Sequence, residues 1–439
     1  MTLRLFPQPN ETIEGAAEAL RAGRMTCVGL VERCLGAIDE WEPKVRAWVV
    51  VDRTGAIEQA RALDVELSAG EDRGPLHGIP VGVKDIIDVE GFVTRAGAGR
   101  WSLVPAVADA EPVATFRRLG AVILGKTVTT PYAFIDPPPT RNPWDLERTP
   151  GGSSSGSAAA VATGTCLAAI GSQTAGSLTR PASFCGIASW KPASWAREPV
   201  EGVVPLAPSL DTIGTMARSV ADLALVQGAW LEEEAEQPAG PPRLARLRGF
   251  FDERADPSMR AALDVTVAAW RAAGAEVVDL PCPGHFERTL LGLRTIMAAE
   301  VATLHARRFS EDVEDYPPRF AELIREGLAV RATDYVRASY FRTEMLVALG
   351  DMLDPSIDAL LVPATTGPAP GAETTGDPSF NAPWNYLNVE TLSMSIGLCP
   401  EGLPLAAQLV GPPDDATRLF PAAIWCERIL HRSDGRKGD

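Results

Sequence analysis

Apolar and polar residues alternate along this chain with two periods, and their order predicts layered α/β architecture. From residue 11 to 40, Glu14, Ala17 and Leu20, then Leu30, Val31, Cys34 and Ile38, fall at helical spacing and predict helix. A strand near 45–51 and a second helix over 55–68 follow, and 76–89 (LHGIPVGVKDIIDV) turns strand-like. Helix is predicted for 111–120 and a core strand for 121–124. After a loop stiffened by Pro137, Pro138 and Pro139, an alanine-rich tract from Ala158 predicts a tightly packed helix, and 166–170 a strand. Farther on the pattern reads as helix 219–232, an acidic proline-rich surface connection at 233–242, and a β-α-β excursion through 244–251, 257–273 and 276–280. Residues 285–350 read as charge-rich helix, 357–362, 393–396 and 404–409 as strands, and 414–430 as a last helix before a tail, 431–439, expected to be disordered. No internal repeat is found.

The densest chemistry lies between Pro150 and Gly186. Gly151-Gly152-Ser153-Ser154-Ser155-Gly156-Ser157 runs into the alanine helix, so free N–H groups at a helix start face whatever lies before it. A second turn, Thr174-Ala175-Gly176-Ser177, follows the strand and is suited to converging amides on a developing oxyanion. A flexible linker of this composition would not sit between apolar elements, and neither spacing of a phosphate-cradling loop is present. Cys185 has no nearby base and reads as a small buried hydrophobe.

Composition sharpens one residue. The chain holds five lysines against thirty-six arginines. Lys84 stands among Val81, Val83, Ile86 and Ile87, where burial would lower its pKa toward the neutral form a base requires. The competing reading is a lysine neutralised by Asp85 or Asp88 on a solvated face. Lys126 reads as a structural contact and His77 as a structural hydrogen-bonding residue; His285, His305 and His431 suggest no Ser-His-Asp arrangement.

These blocks resemble the amidase signature family of hydrolases. The resemblance is carried by PLHGIPVGVKD, GAVILGKT, TRNPW, the Gly/Ser-rich segment, GDPSFNAPW and GLPLAAQLVG, and covers nearly the whole chain. It implies an α/β/α sandwich with a large central mixed sheet covered by helices on both faces. It also implies a single domain over 1–439, with a signature core at about 70–215 and a variable helical substrate-entrance region at about 285–350. Residue by residue it implies Ser177 as acylated nucleophile, Ser153 as a bridging serine after a cis peptide, and Lys84 as base, with Ser177 and Ser153 at the family's interval, 177 − 153 = 24. The amides of Thr174, Ala175, Gly176 and Ser177 form the expected oxyanion hole. Tyr132, Phe134, Ile135 and Trp384, with Tyr386 beside it, are the candidate pocket walls. Two departures stand out: Gln173 replaces the usual Asp, and Thr179 the usual Arg, with Arg180 shifted one residue on; Ala175 also stands where glycine is common.

The implied reaction is hydrolysis of a small-molecule carboxylic amide with neither metal nor organic cofactor. Alternatives are the A-type component of a glutamine-dependent amidotransferase, a carbamate or urea hydrolase, and an inactive scaffold. A net charge of −16 argues against nucleic acid and anionic membrane as partners. No signal peptide or spanning helix is read, and seven scattered cysteines without CxxC fit reduced thiols in the cytoplasm. A homodimer, common among such enzymes, fits the resemblance.

Overall fold

The computed structural model describes residues 11–98, 101–193, 201–232, 238, 240–413 and 416–434. Eleven strands within them form one mixed sheet: β1 (Trp48–Val51), β2 (Pro80–Lys84), β3 (Val122–Thr127), β4 (Ala168–Gln173), β5 (Ala188–Lys191), β6 (Thr212–Ala217), β7 (Arg243–Arg248), β8 (Glu276–Pro281), β9 (Ala359–Pro363), β10 (Thr391–Leu398) and β11 (Pro404–Val410). The spatial order is β1-β3-β2-β4-β6-β5-β10-β11-β9-β7-β8. Strands β3, β2 and β4 run parallel to one another, as do β9, β7 and β8, and the pairs between these groups are antiparallel.

Every residue of β2, β3, β4, β9 and β11 is buried, which requires helices on both faces and explains why these strands read as continuous rather than alternating apolar runs. The edge strands β1 and β8 carry the exposed positions. The architecture is the expected α/β/α sandwich. Among the described residues no helix is long and apolar enough to cross a membrane.

The differences from the sequence reading are local. The helix predicted for 11–40 is two helices, Ile13–Arg21 and Cys27–Val45, because Gly23 takes a left-handed φ of 65° and Thr12 and Thr26 each cap a new start, accepting from Gly15 and Gly29 at 3.0 Å. The strand at 76–89 contracts to β2, and those at 121–124 and 166–170 extend to Thr127 and Gln173. Strands β5 and β6 and the helix Thr179–Cys185 have no counterpart in the sequence pattern. The last helix runs Leu419–Asp434, so part of the supposed disordered tail is helical; 435–439, the start of the chain and most of the acidic connection lie outside the described residues.

The helix Ser155–Ala162 packs its small side chains onto this sheet, and Gly156 is a point of close approach: its N–H donates to Val128 O at 2.9 Å, and a Cβ there would strike the Ala47 carbonyl and the Val128 amide. Both obstacles are backbone, so neither can rotate aside. Gly156→Ala is expected to destabilise the chain by about 1–3 kcal/mol, read as a lower denaturation midpoint at unchanged m-value.

Candidate active site

Strands β2 and β4 lie side by side in parallel register, Val83 opposite Ile170, so Lys84 at the end of β2 comes up beside Ser172 near the end of β4. Lys84 Nζ lies 2.8 Å from Ser172 Oγ and 2.8 Å from Ser153 Oγ. Ser153 is carried in by the loop before the alanine helix, after a cis Gly152–Ser153 peptide, and its carbonyl accepts from Thr130 N–H at 3.2 Å. The loop is tied to the second turn where Ser154 N–H donates to Ser177 O at 3.3 Å. Thus residues 84, 153 and 177 converge at one end of the parallel strands. Among the described residues the Ser177 hydroxyl has no hydrogen-bond partner; it opens on a cavity.

Three lysines among the described residues are buried, and the structure answers each differently. Lys126 pairs with Asp85 at 3.0 Å and donates to Thr94 at 2.9 Å. Lys191 donates to the Pro192 carbonyl at 3.0 Å, with the Glu390 charge nearby. Lys84 meets only hydroxyls. Asp85, the obvious counter-ion in the sequence, is taken by Lys126. Burial therefore lowers the Lys84 pKa from its usual value to about 7, the Asp211 charge opposing the shift. A neutral amine has one lone pair and two N–H groups, so donation to Ser172 leaves the lone pair free for the Ser153 hydroxyl. Ser172 was not legible as a site residue, because only the β2/β4 register brings it to Lys84.

Gln173 explains one departure from the family pattern. Its Oε1 accepts from the N–H groups of Leu178 and Thr179 at 2.9 and 3.0 Å, and its Nε2 donates to Asn385 at 2.8 Å. Asn385 in turn donates to Gln173 O and Leu210 O. A neutral amide thus braces the turn that carries Ser177, with no cation needed at 179. Asp211 braces the other side, accepting from the Thr174 hydroxyl and from Leu206 and Ala207 N–H. Within the turn, the N–H groups of Ala175, Gly176 and Ser177 donate to no protein acceptor among the described residues.

The cavity before Ser177 measures about 280 Å³. Phe134, Ile135, Leu206 and, from the helix Arg288–Glu311, Leu293 and Met297 form its apolar wall; Thr174, Ala175, Arg180, Asp377 and Ser379 supply polar groups. Of the four aromatic and aliphatic candidates, Phe134 and Ile135 line it. Tyr132 does not: its ring stacks on Tyr316 and Phe320, and its hydroxyl donates to Asp315 at 3.0 Å. Nor does Trp384, which is fully buried and stacked on Phe251, nor Tyr386, whose hydroxyl donates to Ala338 O. Both rings of this segment are drawn into the core, where the Trp384 face finds an aromatic partner and the Tyr386 hydroxyl an acceptor, while the neighbouring loop, 374–379, reaches the cavity.

His77 bonds Leu63 O and Arg73 N–H, as a structural residue does. Burial pushes the Cys185 thiol far above its ordinary value, and its sulfur faces Pro150 O at 3.5 Å, which suits no nucleophile. Among the described residues no group of histidine, cysteine and carboxylate side chains is arranged to hold a metal ion.

A buried amine between hydroxyls and a serine turn whose amides meet no protein acceptor among the described residues thus lie at the strand ends of a mixed sheet. The Amidase family model matches residues 29–420, and the chain belongs to the amidase signature family, whose members hydrolyse C–N amide bonds. It is 33% identical over 442 residues to the 2-amino-5-chloromuconic acid deaminase of Comamonas testosteroni, covering 94% of this chain and 95% of the relative. It is also 33% identical over 471 residues to the A-type component of the glutamyl-tRNA(Gln) amidotransferase of Roseiflexus castenholzii, covering 95% of each. Among solved structures, a crystal structure of an amidase superposes with a TM-score of 0.87 at 31% identity, covering 95% of this chain and 99% of that one.

Removing the Gln173 side chain would leave the Leu178 and Thr179 N–H groups buried without an acceptor, at about 1–3 kcal/mol for each unsatisfied group. Gln173→Ala is expected to lower thermal stability and, because the Ser177 turn loosens, to reduce kcat more than it changes KM; a stable variant with unchanged kcat would exclude the bracing role.

Proposed function

We propose that this chain hydrolyses the C–N bond of a small-molecule carboxylic amide through an acyl-enzyme on Ser177. The observation that carries this reading is Lys84, buried with no carboxylate at contact distance among the described residues and 2.8 Å from Ser153 Oγ. Neutral Lys84 takes the Ser153 proton while Ser153 takes that of Ser177, so the Ser177 oxygen attacks the carbonyl carbon as a bond to it forms. The amides of Thr174 to Ser177 hold the oxyanion. The relay then returns the proton to the leaving nitrogen as the C–N bond breaks, and water, activated by the same relay, releases the acid. Ser172 positions Lys84 without touching the substrate.

A cavity of about 280 Å³, at the small end of ligand pockets, favours a compact substrate. The name of the Comamonas relative, a deaminase of a small acid, points the same way. Carbamates and urea derivatives share the tetrahedral chemistry and belong to the same reading. Phe134 and Ile135 serve as acyl or leaving-group walls, and the helices from about 285 to 350 serve as the substrate entrance of a single domain. The equal identity to the amidotransferase component favours a second reading, in which partner chains are required. Turnover of a small amide by the isolated chain decides between them.

A fluorophosphonate probe is expected to label Ser177, as read by mass spectrometry of the modified peptide. Label is expected to vanish in Ser177→Ala and to fall by orders of magnitude in rate in Lys84→Ala; a labelled adduct persisting in Ser177→Ala would refute the nucleophile.

The active form holds Lys84 neutral, so kcat/KM is expected to rise with pH, with a half-rise near 7, and to be lost progressively below it. An acid optimum in folded protein would overturn the assignment of the base.

A further inference from the structure

Arg180 is a buried cation of the cavity whose chemistry the reaction above leaves unused. It is 2% exposed, yet lines the same cavity as Ser177. Its Nη2 donates to Gly152 O at 2.7 Å and reaches Thr375 at 3.4 Å, whereas Nε and Nη1 have no hydrogen-bond partner among the described residues. No carboxylate lies within ion-pair distance among the described residues. Asp377 is felt only as a charge across the cavity rim, its Oδ1 already accepting from Ser379 N–H at 2.8 Å. The surroundings hold the guanidinium in place rather than neutralise it: a Cβ on Gly176 would press on Nη1, and one on Gly376 would press on the Arg180 stem. A buried cation without a counter-ion is costly, and a small-molecule anion entering this cavity would supply one.

We propose that Arg180 binds a carboxylate of the substrate, so that the preferred substrates are amides bearing a free acid group a short spacer away from the scissile carbonyl. This rests on the acyl-enzyme reading and names the substrate class for it. The short spacer follows from Nη2 bonding the carbonyl of Gly152, the residue directly before Ser153. A monoanionic carboxylate fits better than a phosphate dianion, because Asp377 already places negative charge at the rim and one edge of the guanidinium is committed to the backbone. The departures in the signature make the site available: with Gln173 bracing the turn by its amide and Thr179 uncharged, the arginine at 180 has no structural ion pair to make.

The test compares the monoamide of a short dicarboxylic acid with its methyl ester and with the matching diamide, on the full chain. The acid is expected to be preferred by about tenfold or more in kcat/KM, the scale of one charge-assisted hydrogen bond. The free dicarboxylate is expected to slow fluorophosphonate labelling of Ser177 competitively, and the diamide to slow it far less. The preference for the acid is expected to collapse toward unity in Arg180→Met and to survive in part in Arg180→Lys. A wild-type chain that turns over acid and ester alike, or a preference that persists in Arg180→Met, would overturn the proposal. The protection experiment on wild type decides the matter even where Arg180→Met is inactive through the loss of the Gly152 contact. Labelling of Ser177 without protection by the dicarboxylate defeats the acid site alone, whereas absence of labelling defeats the acyl-enzyme reading beneath it.

Discussion

The structure depends on keeping one amine dry and uncompensated at the end of β2. An ammonium ion buried in that place would need a carboxylate at contact distance, and the described residues provide none. Asp85, adjacent in sequence, points away because successive side chains on a strand alternate sides, and Lys126 from the neighbouring β3 holds it. The parallel register of β2 and β4 then sets Ser172 against Nζ, and the glycine-rich loop delivers Ser153 from the opposite direction. Each of these depends on strands buried on both faces, since a solvated edge would rehydrate the amine and restore its charge.

The turn bearing Ser177 is held by groups that replace an ion pair with amides. Gln173 and Thr212 close the β4/β6 ladder, so Thr174 and Asp211 meet just past its end, and the Asp211 carboxylate clasps the Thr174 hydroxyl together with the 206–207 backbone. Asn385 ties the ends of the same two strands by donating to Gln173 O and Leu210 O. Exchanging an acid at 173 and a base at 179 for Gln and Thr loses both charges together, which avoids a stranded buried ion. The Thr179 hydroxyl has no hydrogen-bond partner among the described residues, so its contribution is volume and neutrality.

Much of this was legible in the chain. A scarce lysine inside an apolar strand pointed to Lys84 before any geometry, and the family resemblance singled out Ser153 and Ser177, of which Ser153 lies 2.8 Å from Lys84 Nζ. What the sequence could not show are contacts made by register: Ser172, Asp211 and Asn385 reach the site across strand ends far apart in number. The aromatic residues failed for another reason. Tyr132 is two residues from Phe134, a true wall, but the loop backbone is left-handed at 132 and 133, with φ of 52° and 57°, and turns the Tyr132 ring into the aromatic cluster of Tyr316 and Phe320. Proximity to a motif places a residue near the cavity, and packing decides which way its ring faces. Strands β5 and β6 escaped because buried short strands carry no alternation to read.

Asp211 joins the two halves of the proposed machinery. The carboxylate that fixes Thr174, at the entrance to the turn with the free amides, is also the charge that raises the proton affinity of Lys84 against its burial. Desolvation alone would drive the amine toward a weaker base, with less driving force for taking a proton from a hydroxyl. A counter-ion in direct contact would instead keep it charged and without a lone pair. A more distant carboxylate, already satisfied by three donors, moderates the shift without quenching the amine, and leaves Lys84 near 7, where the neutral fraction and the basicity are both substantial. The same reasoning separates the two buried basic side chains of the site: at Lys84 a distant charge tunes, while in the cavity the Arg180 charge, with no carboxylate beside it among the described residues, awaits its partner from solution.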